Sequence, residues 1–111
     1  MALCTNEQAF KKECNRLGIV KELIPMWIGR GAYATTHHFS NDKEGEFFTV
    51  CIRREKQRPK AQIHSLLAHE AVHILEGWFE IIGEKHPGEE IRAYGIQNIT
   101  QSLIEAYDHV T

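Results

Sequence analysis

At 111 residues with a formal net charge of -2, the chain has room for one modest hydrophobic core and is read as a single domain over 1–111. That charge gives no global attraction to nucleic acid or an anionic membrane, and no apolar run reaches transmembrane length. Cys4, Cys14 and Cys51 are an odd set without C-x-x-C spacing, which argues against a disulfide framework or a cysteine zinc site and favours a reducing, cytoplasmic setting. The first residues, Met1-Ala2-Leu3-Cys4-Thr5-Asn6-Glu7, lack the basic and hydrophobic regions of a secretion signal.

In chain order, Thr5-Asn6-Glu7-Gln8 has the form of a capping box with Thr5 as N-cap. The helix that follows carries Phe10, Cys14 and Leu17 on one stripe and stops at Gly18. From Ile19 to Gly31 the residues are largely apolar, but Pro25 rules out a regular helix interior or central strand, leaving an extended connector or a short edge strand that ends at Gly29-Arg30-Gly31. The stretches 32–39 and 46–53 are rich in β-branched and aromatic residues and flank the turn formers Ser40 to Gly45, which predicts a β-hairpin. Within its second strand, Phe48, Val50 and Ile52 make the purer hydrophobic face, expected to pack on the helices.

The run 53–60, with Arg53, Arg54, Lys56, Arg58 and Lys60, is a solvated basic connector, and Pro59 suits the first turn of a helix. From Lys60 to Ile82, apolar residues recur at three- and four-residue spacing, with Gly77 a place where this helix could loosen or end. Gly83 to Gly88 is a loop. A last helix follows to about Asp108, with Ile91, Tyr94, Ile99, Leu103 and Tyr107 as its stripe and Gly95 allowing a close approach of the two helices.

Inside the long helix, His69-Glu70-Ala71-Val72-His73 fits H-E-x-x-H. Residues four apart share a helix face, so two imidazoles at this spacing can hold one Zn2+ while the Glu reaches a water on it. Catalytic zinc wants a third protein ligand. Glu76 and Glu80 lie too far along an unbroken helix to share the ion with His69, and Glu76 and Phe79 occupy the positions where a metzincin needs Gly and His. His86 falls in a loop. If the motif helix runs two turns past His73 and the loop retraces that distance, an antiparallel helix brings Glu89-Glu90 back toward the imidazoles. Helical spacing favours Glu90, one turn before Tyr94, over Glu89.

The combination resembles the gluzincin type of zincin metallopeptidase, H-E-x-x-H followed by a Glu on a later helix. The segment Pro87-Gly88-Glu89-Glu90-Ile91-Arg92-Ala93-Tyr94-Gly95-Ile96-Gln97 is similar to the P-G-x-E-x-x-A-Y-x-I-Q helix of small zincin-like proteins encoded by tailed phages and prophages. The similarity covers about the C-terminal half. It implies an α+β, zincin-like minimal domain: N-terminal helix, small antiparallel sheet, H-E-x-x-H helix and antiparallel C-terminal helix. It also implies His69, His73 and Glu90 as zinc ligands and Glu70 as general base of peptide-bond hydrolysis in a bacterial or phage-infected cytoplasm. Tyr94, Tyr33, His37 and His38 are candidate donors to an oxyanion. A peptide substrate could pair with the edge of the hairpin. The departures are the short chain and the missing N-E-x-x-S-D-like stretch around Glu90. The alternative expectation is a zincin-like fold kept as a structural or interaction protein. In either case a protein partner or a homo-oligomer is expected, and nucleic acid and membrane are not.

Overall fold

The computed structural model describes residues 1–110. The chain is α+β, in the order β1 (Ala2–Cys4), α1 (Glu7–Arg16), β2 (Ala34–Asn41), β3 (Gly45–Ile52), α2 (Lys60–Ile82) and α3 (Glu89–His109). Its contacts divide into two compact units, Met1–Lys56 and Gln57–Thr111. No helix among the described residues is long and apolar enough to cross a membrane.

In the first unit the helix cap falls one residue later than the capping box suggests. Asn6 is the N-cap, its Oδ1 accepting a 2.8 Å hydrogen bond from the Ala9 N–H. Phe10, Cys14 and Leu17 form the buried stripe as expected. The connector from Ile19 to Gly31 holds one short 3-10 turn, Lys21–Leu23, and no strand. The hairpin turns at Asn41, whose Oδ1 accepts from the Lys43 and Glu44 N–H groups, and at Gly45, which has φ 74°.

The sheet is mixed rather than antiparallel, in the order β1-β3-β2. β1 pairs parallel to β3, with Cys4 opposite Cys51, and β2 pairs antiparallel to it. Strand β1 is three residues long, too short to show a period of two, and for that reason the sequence pattern does not reveal it. Helix α1 covers the other face of β3, the one that carries Cys51. Cys51 joins Cys4, Phe10, Cys14 and Ile28 in the core cluster, and Phe10 stacks on His37 with ring centroids 4.6 Å apart. Phe48, Val50 and Ile52, on the opposite face, are buried as well. Strand β3 is thus buried on both of its faces.

The second unit is a helical hairpin. Helix α2 runs through Gly77 without a break to Ile82. It ends at Gly83, which takes the left-handed conformation (φ 75°, ψ 20°) that a residue without a Cβ adopts at little cost. The Gly83 N–H donates to the Glu80 carbonyl at 3.2 Å and the Glu84 N–H to the Phe79 carbonyl at 2.8 Å, the paired closure of a Schellman motif. Helix α3 returns antiparallel, with Arg92 reaching Glu76 at 3.4 Å and Gly95 lying against Leu75. The inward line of α3 therefore runs through Gly95, Ile99 and Leu103. Ile91 and Tyr94, expected on the apolar stripe, are 63% and 59% exposed. The reason is the glycine: the close approach at Gly95 fixes the rotation of α3 and turns Tyr94 outward.

A Cβ at position 95 would lie 2.7 Å from Leu75 Cδ1 and 3.0 Å from Cδ2. Gly95→Ala should gain about 1 kcal/mol in helix propensity and lose about 1–3 kcal/mol to overpacking, a net loss of about 1 kcal/mol. In a Leu75→Ala background the clash disappears, and the same substitution should stabilise by up to about 1 kcal/mol. Urea unfolding of the double-mutant cycle measures this, and an equal effect in both backgrounds would refute the close packing.

Candidate metal centre

Helix α2 begins after Pro59, whose carbonyl accepts from the Gln62 and Ile63 N–H groups at 3.0 and 3.2 Å. Its buried line is Ile63, Leu67, Glu70, Ala71 and Ile74. Each residue advances the helix by about 100°, so His69 and His73 fall together on the side away from that line, and both are exposed. Their Nε2 atoms are 3.2 Å apart, at hydrogen-bond distance from each other, with ring planes inclined at 69°. Bonds of about 2.0–2.1 Å from both nitrogens to one ion would give an N–metal–N angle of about 100°, close to tetrahedral. The two imidazoles therefore fit a zinc chelate.

Glu70 sits differently. It is 4% exposed, on the buried line one residue, about 100°, round from His69. A carboxylate on this line is shielded from solvent, whereas the imidazoles next to it are open to solvent.

Glu90 stands in the first turn of α3, exposed, beside Glu89. The Leu75–Gly95 and Glu76–Arg92 contacts set the register of the hairpin. That register brings Glu90 level with the turn around Phe79 and Glu80, about 10 Å along the axis from the imidazoles. Among the described residues, no three His, Cys, Asp or Glu side chains come close enough to hold a metal. The structure thus brings His69 and His73 together and does not bring Glu90 or Glu89 to them. Two ligand positions of a catalytic zinc site fit, and the third is not supplied. The expected return of Glu90 relied on the loop retracing the end of α2. The loop from Gly83 to Gly88 is present, but the register set by Leu75–Gly95 and Glu76–Arg92 leaves the first turn of α3 beside the end of α2.

The other candidates have structural employment or lie in the open. His37 Nε2 lies 2.9 Å from the Trp27 carbonyl, and its ring stacks on Phe10. His38 pairs with Glu46 at 2.5 Å and stacks on Phe48. Hydrogen bonds from Ser40 and then His38 hold the Glu46 carboxyl below its ordinary range. Tyr33 and Tyr94 are exposed, as is His86 in the loop. Cys51 is fully buried. Its hydrogen bond with Cys4, and then burial, push its thiol well above the ordinary range. Sequence reasoning did not find the groove of about 600 Å³ between the helices, lined by Ala68, Ile96, Thr100 and Ile104 among others. Its mostly apolar lining carries no pattern that a motif search could detect.

Comparison of the chain with known protein families, with curated proteins and with solved structures finds no match.

A zinc ion bound only by the folded helix should raise stability, by about 2.7 kcal/mol at a hundredfold excess over its dissociation constant. Thermal unfolding with and without Zn2+ should therefore show an upward shift that His73→Ala removes. The same shift in His73→Ala would place the ion elsewhere.

Proposed function

We propose that the chain is a zincin-like zinc-binding protein in which His69 and His73 carry the ion and the metal serves structure or interaction. The observation that carries this reading is the convergence of the two Nε2 atoms at 3.2 Å on an exposed helix face, while the helix register starts α3, and Glu90 with it, about 10 Å further along the axis. The burial of Glu70 supports it further, because a general base must reach the water whose proton it takes.

A second reading, a zinc-dependent peptide hydrolase, is favoured by the motif itself. Glu70 follows His69 directly, and the Glu90–Tyr94 segment keeps the spacing found in zincin-like proteins. Zinc in such a site supplies a water acidified toward neutrality and polarises the scissile carbonyl. In this reading Glu90 must join the imidazoles and Glu70 must turn its carboxylate toward them, with a peptide or protein as substrate.

Two substitutions separate the readings. Under the first, Glu90→Gln should leave zinc affinity within about twofold, and neither wild type nor Glu70→Gln should cleave a quenched peptide library. Under the second, Glu90→Gln should weaken zinc binding by tenfold or more, and Glu70→Gln should abolish cleavage while keeping the metal. Zinc titration and a fluorogenic peptide assay provide both measurements. A wild-type protein without affinity for zinc at neutral pH would remove both readings.

A further inference from the structure

The half-built ligand set points beyond one chain. Zn2+ in protein sites is almost always held by three or four side chains, and this chain offers two nitrogens at chelating distance with no third partner among the described residues. Both imidazoles are exposed, so what completes the coordination must come from outside the chain. We infer that one zinc ion bridges two copies of this chain, held by His69 and His73 of each.

The geometry suits that arrangement. A chelate with an angle of about 100° fills half of a tetrahedron, and a second identical chelate set at right angles fills the rest. A two-fold axis through the ion generates the second chelate from the first, which is the symmetry that homodimers most often adopt. The motif residues continue an exposed stripe of α2 in which Glu76 and Glu80 follow His73 by one and two turns. With Glu76 paired to Arg92, this stripe has no large opposite charge to offer a second copy, so association depends on the ion. The inference rests on the reading that His69 and His73 carry zinc, and it adds the second copy as the source of the missing ligands. It also gives the metal a closed shell, as structural zinc has.

The experiment uses the full chain, stripped of metal with a chelator and titrated with Zn2+ alone. Light scattering should show the molar mass doubling, and calorimetry should show binding complete at one zinc for two chains. Removing the metal should return the monomer. His69→Ala and His73→Ala, checked for unchanged helix content by circular dichroism, should stay monomeric and bind zinc at least tenfold more weakly. Cobalt in place of zinc should give the intense visible bands of a tetrahedral ion in the wild type and lose them in either variant. A monomer that binds one zinc per chain overturns the bridge and leaves the zinc reading standing. A dimer that survives chelation or the His73→Ala substitution also overturns the bridge. No zinc binding at all overturns both.

Discussion

The position of Glu90 relative to the two imidazoles depends on where α2 stops and on the register of the helix that follows. The stop is set by a backbone closure, with Gly83 in a left-handed conformation and two hydrogen bonds tying the last carbonyls. Because the helix passes Gly77 intact, its imidazoles sit roughly three and four turns from that closure. The returning helix must start at the far end, and its first turn is spent beside Phe79 and Glu80 instead of beside His69 and His73. A helix ending a turn or two earlier would have placed the same Glu90 close to the same imidazoles. The ligand residues are thus set by side-chain identity, and their assembly is set by a glycine outside the motif.

Much of the architecture was legible in the amino-acid pattern. The α1 stripe of Phe10, Cys14 and Leu17, the hairpin, and the spans of α2 and α3 all follow from periodicity and punctuation, because each is long enough for its period to repeat. The elements and orientations that were not legible depend on contacts distant in sequence. Strand β1 has only three residues, and its pairing partner is β3, far along the chain. The choice of which face of β3 receives α1 could not be read either, since both faces carry apolar residues at Phe48 to Ile52. For α3, Ile91 and Tyr94 promised burial by composition, but the contact of Gly95 with Leu75 fixed the rotation. A missing side chain outweighed two large apolar ones, since close packing is decided where backbones approach most nearly.

The candidate centre shows the same division. The i, i+4 spacing of His69 and His73 is a local property of a helix, and their convergence follows directly from it. Placing Glu70 required knowing which side of α2 is buried, and placing Glu90 required the helix register. Both are tertiary quantities. Glu70 lies on the line of Leu67 and Ile74 although its neighbours in the motif face solvent, so the five residues contribute to two surfaces of one helix. A motif match fixes the order of the residues along the chain, and the environment of each must be determined separately.

The parallel pairing of β1 has a bearing on how the chain folds. Ala2 lies opposite Thr49 and Cys4 opposite Cys51, so this ladder forms only after almost the whole first unit has been gathered, at the entropic cost of closing a long loop. The contacts of the α2–α3 hairpin, by contrast, join segments separated by a short turn. Rates of folding fall as contacts become less local. The helical hairpin is accordingly the kinetically early part of the molecule, and the docking of its N-terminal strand is the late step. During that interval the edge of β3 is open to pairing with other chains.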